Sequence, residues 1–373
     1  MSLRAVIEEE VRQRGPIPFS RYMELCLYHP ELGYYSRPQE KFGKAGDFYT
    51  ASDVHAVFGR LLARQFEEMW RALDSPRSFV ICELGPGRGL FARDVLDWCA
   101  KKFPALHEAL RFSLVENSSD LRQRLAERFS REIAAGRAEV CASLEESRGP
   151  LADAVVFANE FFDALPVEAV TPEGQVYVDV EDGKLVERFR PPSPEAHAFL
   201  DRYGVRPEPG ERVEAPLAAM GSMQKIASRL TRGFAVIIDY GYTREEQLAG
   251  RHRGTLMTYR QHTAGEDPYE APGEQDITAH VNFTALRAAA EAAGLESLGL
   301  LTQAQFLMGI GQVDELADAF EPCLLPQERA KVTLQLKHLV TPAGMGETFQ
   351  VLVLARGVEK EKAARLSGLA FAR

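Results

Sequence analysis

Phe79-Val80-Ile81-Cys82-Glu83-Leu84-Gly85-Pro86-Gly87-Arg88-Gly89 is an apolar run, then an acid, then three glycines at alternate positions. A helical pattern fills residues 90–102. This order predicts a buried strand that feeds a tight turn into a helix N-terminus, where a nucleotide-like cofactor can lie against bare backbone. The register of the glycines helps to choose the cofactor. A dinucleotide turn wants Gly-x-Gly-x-x-Gly, and its last glycine would fall on position 90, which is Leu90 here.

The flanking acids sharpen the choice. Leu114-Val115-Glu116 ends the second strand candidate. A carboxylate there accepts hydrogen bonds from both ribose hydroxyls of an adenosine cofactor. Glu116 alone does not separate S-adenosylmethionine (SAM) from NAD. Glu83 does more, because a carboxylate beside the turn suits the ammonium of SAM and repels a pyrophosphate. The bland alternative for either acid is an ion pair or a solvated strand end. Arg88 could meet the cofactor carboxylate or pair with Glu83, and both options stay open.

Outward from this turn, strand and helix signals alternate. Strands are expected at 78–84, 111–116, 138–142 and 153–159, with helices at 90–102 and 118–132. Such alternation argues for a parallel sheet covered on both faces. Gln175 to Arg190 then resembles a hairpin turning at Asp182-Gly183, followed by a proline-rich stretch to Pro216. The sheet resumes at Phe234 to Asp239. A long polar loop is expected from Thr243 to about Ala279. A helix over Asn282 to Ala293 is capped by Asn282 and stopped by Gly294. A strand at 295–301, a helical stretch from Gln303 to Leu339 and a final antiparallel strand over Glu347 to Ala355 complete the count of seven core strands.

Composition narrows the class. The 373 residues carry 44 basic and 54 acidic side chains, a net charge of -10. That balance disfavours general binding to nucleic-acid phosphates. Five scattered cysteines include no CxxC pair, so neither a disulfide framework nor a metal site is expected. The Met1 to Arg14 helix is too acidic for a transit peptide and lacks a signal-peptide core. No apolar run approaches the ~20 residues of a membrane span. A soluble, cytoplasmic protein without membrane insertion is expected.

Asn159-Glu160-Phe161-Phe162-Asp163-Ala164-Leu165-Pro166 follows the fourth strand candidate. Ligands of open α/β sheets sit at the carboxyl ends of strands, so this segment borders the cofactor crevice. Two acids and an amide beside two phenylalanines make an unusual loop.

Taken together, these residues resemble the MidA-like family of SAM-dependent methyltransferases. The resemblance runs through Tyr28-His29-Pro30-Glu31-Leu32-Gly33-Tyr34-Tyr35, Gly46-Asp47-Phe48-Tyr49-Thr50 with Phe58-Gly59, Glu83 to Gly89, Asn159 to Pro166, Asp239-Tyr240-Gly241, Tyr259-Arg260-x-His262 and Asp276 to Phe283. Two departures stand out: Leu90 where many members have Thr, and Ser52-Asp53 where many have Pro-Glu.

The family includes a mitochondrial complex I assembly factor that is a protein arginine methyltransferase. The resemblance implies a class I, Rossmann-like, seven-stranded and mostly parallel α/β sheet. It implies methyl transfer from S-adenosyl-L-methionine, with arginine of a protein substrate as the expected acceptor and a respiratory complex subunit as its expected source. A small-molecule acceptor, or an assembly chaperone that keeps the fold as scaffold, is the alternative. A homo-oligomer is compatible with the chain.

Two divisions are expected: an N-terminal helical segment, 1–75, and a core, 76–373, with insertions at about 167–231 and 243–281 and helices at about 303–340. Cofactor contacts are expected from Glu83, Gly85, Pro86, Gly87, Gly89, Glu116, Asn117, Ser143, Leu144, Asn159 and Thr50. Glu160, Asp163 and Asp47 are the expected acceptor-binding carboxylates, with His280 or His262 as a proton relay.

Overall fold

A computed structural model describes residues 2–37, 56–260 and 263–372. They divide into two compact units. One takes the described residues from 56 to Glu160, with Gln224–Tyr240 and Ala290 onward; the other takes the described residues up to 37, with Phe161–Met223 and those of Gly241–Ala289.

The first unit is built on a twisted sheet. Its strands are β1 (Phe79–Leu84), β2 (Leu110–Val115), β3 (Ala138–Cys141), β4 (Leu151–Asn159), β5 (Leu230–Tyr242), β6 (Glu296–Thr302) and β7 (Phe349–Arg356). The spatial order is β6-β7-β5-β4-β1-β2-β3. β1 pairs in parallel with both β2 and β4, and β4 in parallel with β5, while β7 runs antiparallel to β5 and β6. These seven strands form the mostly parallel α/β sheet expected from the sequence, and a two-residue strand, Val281–Asn282, adds a parallel pairing at Gly241 and Tyr242. The strands read as apolar runs because helices cover both faces. Ala154 to Ala158 and Phe234 to Ile238 are wholly buried. The Phe91 and Phe157 rings stack at 4.3 Å, and Phe66 meets Phe157 edge-on.

Chain order reverses where β4 and β1 lie side by side. That is the switch point at which such sheets bind ligands, beyond the carboxyl ends of the strands. Pairing of Leu84 with both Val115 and Ala158 brings the ends of β1, β2 and β4 level.

The second unit holds two antiparallel sheets. In the five-stranded one, Gly174–Glu181 and Lys184–Arg190 form the expected hairpin, with left-handed Asp182 and Gly183 at its turn. The helices Leu3–Arg14 and Phe19–Tyr28 bury Leu3, Ile7, Phe19 and Tyr22 against Val176 and Val178. The other sheet, of Met257–Arg260, Thr263–Gly265 and Asp276–Thr278, occupies what the sequence presents as a polar loop. These strands are too short for alternation to register. A helix, Pro194–Arg202, also stands in the proline-rich stretch, with Ser193 accepting from Ala196 N at 3.1 Å and Pro194 in the first turn.

The units divide the chain differently from a boundary at 75. The helix Ala56–Ala72 contributes Phe58, Leu62 and Phe66 to the core of the sheet unit. The first helices share a core with the 167–180 strands instead. Among the described residues no helix is long and apolar enough to cross a membrane. All five cysteines are free thiols.

Candidate active site

In the sheet unit, the turn after β1 needs glycine on conformational grounds. Gly85, Gly87 and Gly89 have φ of 65°, 52° and 69°. A Cβ at Gly89 would also stand 2.6 Å from Leu125 Cδ2 and 2.8 Å from Phe129 Cε2. Gly85 N donates to Val115 O at 2.9 Å and Gly89 N to Pro86 O at 2.7 Å, which ties the turn to β2 and closes it. The helix Leu90–Lys102 then starts with no side-chain cap. Its first N–H groups are left for a ligand or water.

Glu83 and Glu116 end adjacent strands, 5% and 8% exposed. Glu116 Oε1 accepts from Ser118 N at 2.9 Å. Glu83 Oε2 is buried without a hydrogen-bond partner. Burial, and then the charge of Glu116, pushes the Glu83 carboxyl up to about 8. Among the described residues no cation pairs with Glu83, so the Glu83–Arg88 pairing does not form.

Across β1, Asn159 Oδ1 is a second buried acceptor without a partner. Its Nδ2 donates to Glu160 Oε1 at 3.1 Å. Glu160 itself holds a left-handed φ of 50°, a costly conformation for a residue with a Cβ, and its N–H is fixed to Ile238 O at 3.0 Å. Asn117 lies exposed just past β2, and Ser143 with Leu144 opens the turn past β3.

Two orphaned acceptors, a second carboxylate and an uncapped helix start suit a ligand that brings donors and a positive charge. The amino-acid ammonium and ribose hydroxyls of SAM are such groups, so the residues present fit it. Thr50 lies outside the described residues.

In the other unit, Asp163 and Asp276 are 6% and 3% exposed. The Tyr35 hydroxyl lies 3.0 and 3.1 Å from the two oxygens of Asp276 and donates to them. His280 Nδ1 faces His252 Nδ1 at 3.2 Å. Burial, then the neighbouring His252, depresses His280 to about 4. Burial lowers His252 as well. Both imidazoles are therefore neutral at pH 7, one donating to the other. His252 also stacks on Tyr242 at 5.1 Å. Sequence reasoning missed His252, and it noted Tyr35 and Asp276 within their motifs without pairing them, because only tertiary structure brings them together. Asp47 and His262 lie outside the described residues. Among the described residues no group of three or more ligating side chains fits a metal.

Comparison with known proteins identifies the family. Residues 61–301 match a family described as "Putative S-adenosyl-L-methionine-dependent methyltransferase". The mitochondrial protein arginine methyltransferase NDUFAF7 homolog of Drosophila melanogaster is 31% identical over 96% of this chain and 85% of its own. The mitochondrial NDUFAF7 arginine methyltransferase of Homo sapiens is 30% identical over 92% of this chain and 81% of its own. A Burkholderia thailandensis structure bound to S-adenosyl-homocysteine is 33% identical, with a TM-score of 0.84, covering 99% of this chain and 95% of that one. The expectation of a cytoplasmic protein is corrected by the first two comparisons, since both relatives are named as mitochondrial. Net charge and an acidic first helix describe surface chemistry and carry no address.

Proposed function

The chain belongs to the MidA-like family of S-adenosyl-L-methionine-dependent methyltransferases, and on that premise we propose that its methyl acceptor is an arginine side chain of a protein. The observation that carries this reading is similarity along nearly the whole chain to relatives named as protein arginine methyltransferases. Two carboxylates three positions apart after β4, Glu160 and Asp163, support it.

When bound, the cofactor supplies a sulfonium methyl that is electrophilic enough for positioning to do much of the catalysis. Glu83 and Asn159 would hold the amino-acid end and Glu116 the ribose, with the Gly85–Gly89 turn giving room for close backbone approach. Glu160 and Asp163, with Asp47 as a third carboxylate, would orient the planar guanidinium by paired hydrogen bonds. The attacking nitrogen forms its bond to the methyl carbon as the carbon–sulfur bond breaks. Its proton passes to one of these carboxylates. A neutral His280 could accept that proton only weakly at pH 7, because its basicity is depressed.

Family resemblance directs the search for the acceptor to a subunit of a respiratory complex. The test is incubation with methyl-labelled SAM and host lysate, followed by mass spectrometry. The expected result is label on an arginine of a discrete protein, lost with Glu160→Gln. Label on a small molecule, on another side chain or on nothing would overturn the reading.

A further inference from the structure

The carboxylates of the second unit have aromatic company that the scheme above does not use. Tyr259 and Asp276 are directly opposed in the antiparallel pair of Met257–Arg260 with Asp276–Thr278. Opposed residues share one face of a sheet, so the ring and the carboxylate are neighbours. Tyr35 reaches the same carboxylate from the N-terminal segment and donates to it. Asp276 Oδ1 also accepts from Ile277 N at 3.0 Å, which fixes the carboxylate plane. The Tyr28 and Tyr35 rings stack with centroids 5.6 Å apart and planes tilted by 26°. The Tyr28 hydroxyl donates to Ala164 O at 2.9 Å, one residue from Asp163. Asp163 O in turn accepts from Ala279 N at 2.9 Å, just past the Asp276 strand.

The charges agree with this proximity. Burial raises the phenols of Tyr35 and Tyr259, and the next causes include the negative charges of both Asp163 and Asp276. The phenols stay neutral. The carboxylates are buried, whereas Tyr28, Tyr35 and Tyr259 are only partly so. Three partly exposed aromatic side chains thus stand beside two buried carboxylates.

From this arrangement we propose that Asp163, Asp276 and the rings of Tyr28, Tyr35 and Tyr259 form a guanidinium-binding site that selects the arginine side chain. The assignment of that side chain to the acceptor rests on the arginine reading above. Buried carboxylates attract a cation, and tyrosine faces favour a flat, weakly hydrated one that can stack. An ammonium satisfies the charge but offers no plane. Methylation of the guanidinium leaves its charge and its plane intact, so the same carboxylates and rings would retain the monomethylated side chain. Asp276 is here a specificity-determining residue, and the Tyr35 hydroxyl positions it while the ring takes part in the site.

The test uses N-acetyl-arginine amide, its methylated form, and N-acetyl-citrulline amide, which keeps the shape without the charge. Binding to the full chain is followed by ligand-observed NMR, with S-adenosyl-homocysteine titration as a separate check on the cofactor site. The arginine probe and its methylated form should bind at least about tenfold more tightly than the citrulline probe, a comparison that needs no variant. Asp276→Asn should cost the arginine probe about tenfold and Tyr35→Phe a smaller factor, with S-adenosyl-homocysteine affinity unchanged. Tyr259→Leu, at a partly exposed ring, should cost about threefold or more.

Equal binding of the arginine and citrulline probes overturns the site. So does an Asp276→Asn chain that binds the arginine probe like wild type. Failure of the acceptor reading looks different. If the arginine probe binds as described but labelled methyl lands on another side chain, the acceptor reading falls and the site stands. If label lands on arginine while the chain ignores the charge of the probes, the site falls and the reading stands.

Discussion

Glu83 places a carboxyl in a low-dielectric crevice beside a second carboxylate, and that has a measurable consequence. Its proton affinity is raised from 4.5 to about 8. Between those values the folded, ligand-free chain holds a proton that the unfolded chain has released. Stability therefore falls as pH rises through that window, by this group's share. A cationic ligand favours the ionised form, so SAM binding near pH 7 should expel the proton. Calorimetry in buffers of different ionisation enthalpy should report its release, and affinity should climb with pH up to about 8 and then flatten. A buffer-independent binding enthalpy would contradict this. Glu83→Gln should flatten the fall in stability while weakening SAM by roughly 10- to 100-fold.

His280 has the opposite sign. Its basicity drops from 6.5 to about 4, so the unfolded chain binds the extra proton first. This contribution is present above pH 6.5 and is lost as pH falls toward 4. Thermal melts of His280→Asn should show a shallower acid limb in that range. An unchanged limb would place the titration elsewhere.

At the scale of elements, the joint between β4 and β5 depends on one glycine. Gly233 has φ of 136°, and a Cβ there would stand 1.9 Å from Ala154 O. The β4–β5 register slips by one residue between Leu230 and Arg232 and returns between Arg232 and Gly233, so the irregularity closes at this glycine. Gly233→Ala should force the two central strands apart and cost at least about 3 kcal/mol, read from denaturant unfolding. A cost under about 1 kcal/mol would mean that the bulge relaxes freely.

The cradle turn is legible in sequence for a related reason. Its strand, acid and alternating glycines are contiguous, and each answers a local requirement. Glu116 is legible because a strand end is a local event as well. Tyr35 and Asp276 are not legible as partners: 241 positions separate them, and nothing in either segment encodes the pairing. Likewise the strand Asp276–Thr278 spans three residues, too few for alternation to stand out from a loop. His280 drew notice for its chemistry, but its neutral state is set by its burial and by His252, which stands in a loop with no motif around it.

On the scale of the whole molecule, chain order and packing order diverge. The polypeptide leaves and re-enters each unit, so the helices before residue 37 share a core with strands beyond 167. A boundary near 75 follows the switch from helical to alternating patterns, yet the helix Ala56–Ala72 packs with the sheet on the far side of that boundary. Truncation to residues 76–373 should therefore remove Phe58, Leu62 and Phe66 from the sheet core and yield a chain that fails to unfold cooperatively. A sharp thermal transition near that of the full chain would show that this helix is dispensable. The expected seven-stranded sheet came through intact because a parallel sheet with an antiparallel final strand leaves few ways to arrange seven apolar runs.

We propose that the β1 turn and the strand-end acids Glu83 and Glu116 hold SAM and not a dinucleotide. Calorimetric titration of the full chain with SAM and, separately, with NADH tests it most directly. The predicted result is saturable binding of SAM, no detectable binding of NADH, and loss of most SAM affinity in Glu116→Ala. Binding of NADH with SAM silent, or SAM binding unaffected by Glu116→Ala, would contradict it.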